Sequence, residues 1–260
     1  KSTQKEAEAA FTIMNNDDLS GRKDLTGIPF VTIDGEDARD FDDAVAVQKT
    51  AGDCIKLFVS IADVSFFVRP GSAIDKEAYE RATSTYFPGE CIPMLPEQLS
   101  NNLCSLVPHE NRFTMTAEMD VNPKGEVVRK KFYRSVINSR ERMTYASVKK
   151  ILADKDPSIR ERYKNLLPDF ELMEECYKRL SGMRQRRGSL DFDLPEPLIV
   201  IDIQGGVSDI LRAERHVGHM MIEDFMIAAN EAVATYLTEK KFFCIYRIHE
   251  PPPKDKLQEF

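Results

Sequence analysis

Short clusters of apolar and β-branched residues punctuate the first half of the chain. Residues 29–33, 44–48 and 55–63 are such clusters, each bounded by polar turns, as buried strands are. Two longer ones, 113–121 and 126–138, flank Asn122-Pro-Lys-Gly125, a composition suited to a tight hairpin. Later the period lengthens. Phe170, Met173, Cys176 or Tyr177, Leu180 and Met183 recur every three or four residues, which predicts a helix over 168–187. Helices are also predicted at 71–83, at 144–153 with Thr144 as N-cap, and at 216–238. A hairpin over 191–213 would turn at Gly205-Gly206, and 242–248 reads as a last strand. Pro88, Pro93, Pro96 and Pro108 predict an irregular but ordered crossing over 85–108. Residues 1–23 read as an N-terminal extension or linker, a helix from Glu6 to Met14 followed by a polar connector, and 24–260 as one domain. Hairpins interleaved with helices predict the α+β class, a mostly antiparallel sheet surrounded by helices.

Composition excludes more than it selects. No apolar run reaches membrane length and the start, Lys1 to Glu8, is polar, so a cytoplasmic protein without a membrane partner is expected. Cys54, Cys91, Cys104, Cys176 and Cys244 form no CxxC pair and no zinc-type cluster, and read as reduced thiols. A net charge of −7 argues against a nucleic-acid partner only until its distribution is considered. Basic residues gather at Arg129-Lys-Lys131 with Arg134, Arg140 and Arg142, and again at Arg184, Arg186 and Arg187. Local patches govern such binding more than the sum does. The second group ends a predicted helix, where the dipole alone favours cations; for Arg187 the functional alternative is contact with backbone phosphate.

The acids concentrate in ten residues, Asp34-Gly-Glu-Asp-Ala-Arg-Asp40-Phe-Asp42-Asp43, six acids against one arginine. Clustered carboxylates repel and are costly to desolvate unless paired or metal-bound. A solvated acidic loop is the plain reading of such a stretch. The buried-looking flanks, Phe30 to Ile33 and Ala44 to Val47, favour instead a site for a hard divalent ion and phosphate oxygens. An EF-hand loop fits badly, since its required Gly and Glu positions are not met.

The segment Val31-Thr-Ile-Asp-Gly-Glu-Asp-Ala-Arg-Asp-Phe-Asp-Asp-Ala-Val45 resembles the ribonuclease II/ribonuclease R (RNB) family of 3′→5′ exoribonucleases, and its ribonuclease R branch more nearly. Ser60-Ile-Ala-Asp-Val64, Tyr86-Phe-Pro88, Ile92-Pro-Met-Leu-Pro96, Leu99 to Leu106, Glu223 to Asn230 and Tyr246-Arg-Ile-His-Glu250 extend the resemblance over roughly 24–260. It implies a catalytic domain built around a channel for single-stranded RNA, which is degraded processively to nucleoside 5′-monophosphates. It implies that Asp34, Asp40 and Asp43 organise Mg²⁺, with Mn²⁺ also suited to such oxygen ligands, and that Asp42 is needed for cleavage but not for RNA binding. It further implies flanking OB-fold domains of cold-shock and S1 type, a monomer, and an arginine-bearing segment beyond Phe260. Two histidines common in the family are replaced here by Ser60 and Phe66.

Single-stranded RNA is gripped by stacking on aromatic faces, about 1–3 kcal/mol per base. By resemblance Tyr86 stacks near the 3′ end, Phe192 clamps the terminal base from the other side, and Tyr145 lies near the scissile link. Phe87, Phe132, Phe225, Phe242 and Phe243 read as core. His219, Glu223, Met226 and Asn230 share one helix face. By resemblance Glu223 accepts from the terminal ribose 2′-OH, a contact that distinguishes RNA from DNA. A non-catalytic RNA-binding protein and a metal-dependent phosphatase or DNA nuclease are the competing readings.

Overall fold

A computed structural model of the chain describes residues 2–16, 21–87, 90–190, 197–201, 206–212, 214–248, 250–251, 253 and 255–256, with backbone alone at 11–16, 51, 198 and 201. It begins with α1 (Ser2–Asn16), β1 (Lys23–Asp24), β2 (Val31–Asp34), β3 (Asp43–Lys49) and β4 (Ile55–Ala62). Then come α2 (Val64–Phe67), α3 (Ala73–Arg81), the hairpin β5 (Thr85–Phe87) and β6 (Glu90–Ile92), and the long strands β7 (Asn111–Val121) and β8 (Val127–Asn138). After β9 (Glu141–Thr144) follow α4 (Tyr145–Leu152), α5 (Pro157–Arg162), α6 (Leu167–Arg186), β10 (Pro197–Ile201), β11 (Val207–Arg212) and α7 (Val217–Glu239).

Seven strands form one sheet in the order β1-β8-β7-β4-β3-β2-β9. The outermost pairs, β1 with β8 and β2 with β9, are parallel, and the rest antiparallel. Alternation along the strands assigns the faces. Val45, Val47, Ile55, Leu57 and Val59 point to a layer built by Val148 and Ile151 of α4, Phe170 and Met173 of α6, and Met221 and Phe225 of α7. Ala44, Ala46 and Phe58 face the other way, onto Phe41, Phe67, Ile74, Leu99 and Leu106. Each such large apolar side chain stabilises the fold by about 1.5–3 kcal/mol. The α+β expectation therefore holds, with α4, α6 and α7 on one face and α1 to α3 with the proline-rich crossing on the other.

That crossing is ordered because Arg112, 3% exposed, donates to the carbonyls of Asn102 and Ser105 and to Asn102 Oδ1. Ser60, where a family histidine was expected, sits in a buried hydroxyl ladder: 2.7 Å to Thr116, which is 2.6 Å from Ser135. Phe66 packs edge-on against Phe67 and Phe113, with the Arg22 guanidinium over its ring. Both departures are absorbed by packing. The N-terminal helix docks rather than hanging free. The Glu6 carboxylate accepts from Ala73 and Ile74 N–H at 3.1 and 3.0 Å, capping α3, while Ala7 and Ala10 are buried.

Two expectations need correction. Residues 242–248 form no strand, and Phe243 and Ile245 are fully exposed. Lys241, at φ 56°, ends the helix before them, and β-type composition without a partner strand does not make a strand. Phe87 and Phe242 are likewise exposed, so of the five phenylalanines read as core only Phe225 is buried and Phe132 partly so. Among the elements not foreseen are β9, four residues of mixed polarity, and α5, whose Asp156 cap accepts from Ser158 and Ile159 N–H.

The predicted turn before β8 is real, and Gly125 adopts φ +81° there. A Cβ at this position would overlap the Arg179 carbonyl of α6. Gly125→Ala should therefore cost about 2–3 kcal/mol, read as a lower midpoint in urea unfolding with an unchanged slope.

Candidate active site

β2 ends in Asp34 and β3 begins with Asp43, so the two strands hold these residues at one end of the sheet. The loop between them is fastened on both sides. Phe41 is buried; its N–H donates to Ser105 Oγ at 3.0 Å and its carbonyl accepts from Leu106 N–H at 2.9 Å. Ser105 Oγ in turn donates to the Arg39 carbonyl. At the other side Arg142, on β9, donates Nη2 to the carbonyls of Gly35 and Glu36, both at 2.6 Å, and lies over the Phe41 ring. Ala62 N–H donates to the Asp42 carbonyl at 2.9 Å, continuing the β3–β4 ladder.

The acids feel one another. Burial, then Asp43, raise the Asp34 carboxyl to about 7, with Asp40 and Asp42 adding to the rise and Arg142 opposing it. Burial, then Asp42, raise Asp43 to about 6. Asp42 is exposed by area, yet protein mass around it, then Asp40, raise its carboxyl too. Asp34 Oδ2 is buried without a hydrogen-bond partner. An all-oxygen donor set with excess negative charge and an orphaned buried oxygen fits a hard divalent cation. The fit is one of charge and donor type. Among the described residues no three His, Cys, Asp or Glu side chains are already gathered as a ligand shell.

Two predicted aromatics come to the acids. Tyr86, on β5, donates its hydroxyl to Asp40 Oδ2 at 2.9 Å, while the residue stays 66% exposed. Tyr145 opens α4, behind a capping box of Thr144 and Ser147. Its phenol is pushed up to about 12 by burial, then by Asp34 and Asp43. Its ring stacks on His219, centroids 3.9 Å apart. Gly218 allows that approach, since a Cβ there would meet the Tyr145 carbonyl at 3.2 Å. Phe192 lies outside the described residues.

The remaining candidates are engaged within the fold. Glu223 pairs with Arg215 at 2.8 Å and with Arg184 at 3.9 Å. Arg184 also pairs with buried Asp224, Arg186 donates to the Lys124 carbonyl, and Arg187 forms a fork with Glu231 at 2.9 and 2.7 Å. The arginine group thus joins α6 to α7 and to the β7–β8 turn. On α7, Glu223 and Asn230 are exposed and His219 and Met226 half-buried, opposite the core residues Met221 and Phe225. Arg142 and Ser105 were missed as organisers of the acidic loop, because neither lies near it in sequence. Two recesses, of about 740 Å³ beside Pro29 and Leu172 and about 420 Å³ beside Thr3 and Pro93, are lined by none of the four aspartates.

The acid-bearing loop is strung between neighbouring strands of a mixed sheet that carries helices on both faces. Residues 22–260 match the family model described as RNB domain, and the chain belongs to that family. It is 45% identical over 240 residues to ribonuclease R of Vibrio cholerae, covering 92% of this chain and 29% of that protein. To ribonuclease R of Aquifex aeolicus it is 43% identical over 254 residues, covering 98% and 36%. Among solved structures, Mycoplasma genitalium RNase R in complex with ribose methylated single-stranded RNA superimposes with a TM-score of 0.86 at 33% identity. That match covers 99% of this chain and 40% of the other. The chain thus spans about a third of the length of these curated relatives.

Proposed function

We propose that this chain is the catalytic core of a Mg²⁺-dependent 3′→5′ exoribonuclease. It hydrolyses single-stranded RNA processively to nucleoside 5′-monophosphates and serves RNA turnover. The observation that carries the reading is the buried, unpartnered Asp34 Oδ2 in a loop with Asp40, Asp42 and Asp43, where burial first and the neighbouring acids second lift Asp34 and Asp43 above ordinary carboxylates. Family membership and the RNA held by the M. genitalium relative support the substrate.

Asp34, Asp40 and Asp43 would hold Mg²⁺, or Mn²⁺ in its place. Bound there, the ion supplies Lewis acidity toward the phosphodiester and its attacking water. Asp42, at the solvent side of the acids, accepts the proton of that water. The Tyr86 ring receives a base near the 3′ end, and Tyr145 stands beside Asp34 and Asp43 to border the scissile link. Five free thiols suit the cytoplasm. In the full-length protein, acting as a monomer, flanking OB-fold domains of cold-shock and S1 type would deliver the strand.

The test is release of mononucleotides from 3′-tailed RNA by the full-length protein. Release in Mg²⁺, none in EDTA, and weak competition by DNA of the same sequence are expected. RNA binding without release would make this a binding protein; equal competition by DNA would make it a broader phosphodiesterase.

A further inference from the structure

We infer that Tyr86 is a positioning residue for Asp40: its hydroxyl orients the carboxylate for a cation while its ring remains available to RNA. The inference rests on the reading of a metal-dependent ribonuclease given above and adds a role for the phenol itself.

Asp40 lies between two anchored neighbours. The Arg39 carbonyl and the Phe41 N–H are both held by Ser105. That fixes the backbone and leaves the side-chain rotation of Asp40 to be set. Tyr86 Oη sets it, donating to Oδ2 at 2.9 Å and leaving Oδ1 for a cation. Hydrogen bonds from behind a ligating carboxylate commonly fix its direction and tune its affinity. The donor is itself held. Tyr86 pairs with Cys91 across the β5–β6 hairpin, Met94 N–H donates to Ser84 Oγ at 2.9 Å, and Arg81 donates to the Pro93 carbonyl at 3.3 Å. With the residue 66% exposed, the bond to Asp40 leaves most of the side chain open. Ring and hydroxyl therefore serve different partners.

Tyr86→Phe separates the two. In the full-length protein, Mn²⁺ uptake without RNA is followed by electron paramagnetic resonance, and RNA affinity is measured in EDTA. The Phe variant should lose about tenfold in Mn²⁺ affinity and keep RNA affinity within about twofold, whereas Tyr86→Ala should lose both. Adding Tyr86→Phe to Asp40→Asn should cost no further Mn²⁺ affinity, because the group it orients is gone. Wild-type Mn²⁺ affinity in the Phe variant, or full additivity in the double variant, overturns the inference. So does an RNA loss in EDTA as large as that of Tyr86→Ala. Failure of the wild type to take up Mn²⁺ removes the metal-dependent reading as well, and so is told apart from failure of the Tyr86 role alone.

Discussion

Asp42→Asn in the full-length protein should slow mononucleotide release on the order of 10³-fold and leave RNA bound. The geometry explains why this position, and not its neighbour, isolates the chemistry. Asp43 is in sheet register with Ile61 and half-buried. Asp42, one residue earlier, is exposed, and its carbonyl is fixed by Ala62 N–H. Successive side chains in extended backbone diverge, so Asp42 can serve the attacking water while Asp43 serves the cation. The Asn side chain is nearly isosteric, fills the same place and makes no demand on the core. It removes one negative charge from a surface that must accept phosphates, so affinity should hold or rise. Single-turnover assays on 3′-tailed RNA and filter binding in the same buffer measure the two effects. Undiminished release would remove Asp42 from the chemistry and leave the acid cluster without its assigned base.

Elements with strong local patterns were legible before any coordinates. The strands β3, β4, β7 and β8 and the helices α4, α6 and α7 all fall where periodicity placed them, because each buries a continuous face that writes its period into the chain. β9 was not legible. It is short and half-polar, and exists as a strand because β2 offers a parallel edge. The stretch 242–248 fails in the opposite sense, with strand-like residues and no partner. The acidic loop was readable as chemistry, since its six acids in ten residues lie between the buried-looking flanks Phe30 to Ile33 and Ala44 to Val47. Its fastening was not. Ser105 and Arg142 are 62 and 99 residues from Asp43 along the chain, and only the folded crossing and β9 bring them to it. For the arginines at the end of α6 the sequence posed a choice between phosphate and protein. Asp224, the Lys124 carbonyl and Glu231 are the partners they have in the fold.

The cost of holding the acids apart from any cation should appear as stability. In EDTA, Asp34→Asn should unfold at higher temperature than the wild type at pH 8, and the difference should vanish toward pH 4. The sign follows from the raised carboxyl. Asp34 titrates at about 7 in the folded protein against an ordinary 3.8. Below pH 4 it is protonated in both states and costs nothing. As pH rises from about 4 to 7 the unfolded chain gives up its proton while the folded one keeps it, so stability is lost steadily across that window. Above 7 the loss is complete, at most about 4 kcal/mol. Solvent that reaches the site reduces the gain of the Asn variant to about 2 kcal/mol, a rise of roughly 5 °C. Asp43, raised to about 6, acts in the same direction and over a narrower range. Mg²⁺ at pH 8 should reverse the order, because an ion that binds only the folded state stabilises the protein that holds it. Calorimetry at pH 4, 6 and 8, with EDTA and then Mg²⁺, reads every arm of this. An Asn variant that melts at or below the wild type at pH 8 in EDTA would show that the fold welcomes the Asp34 charge unaided, and the electrostatic case for a cation would fall with it.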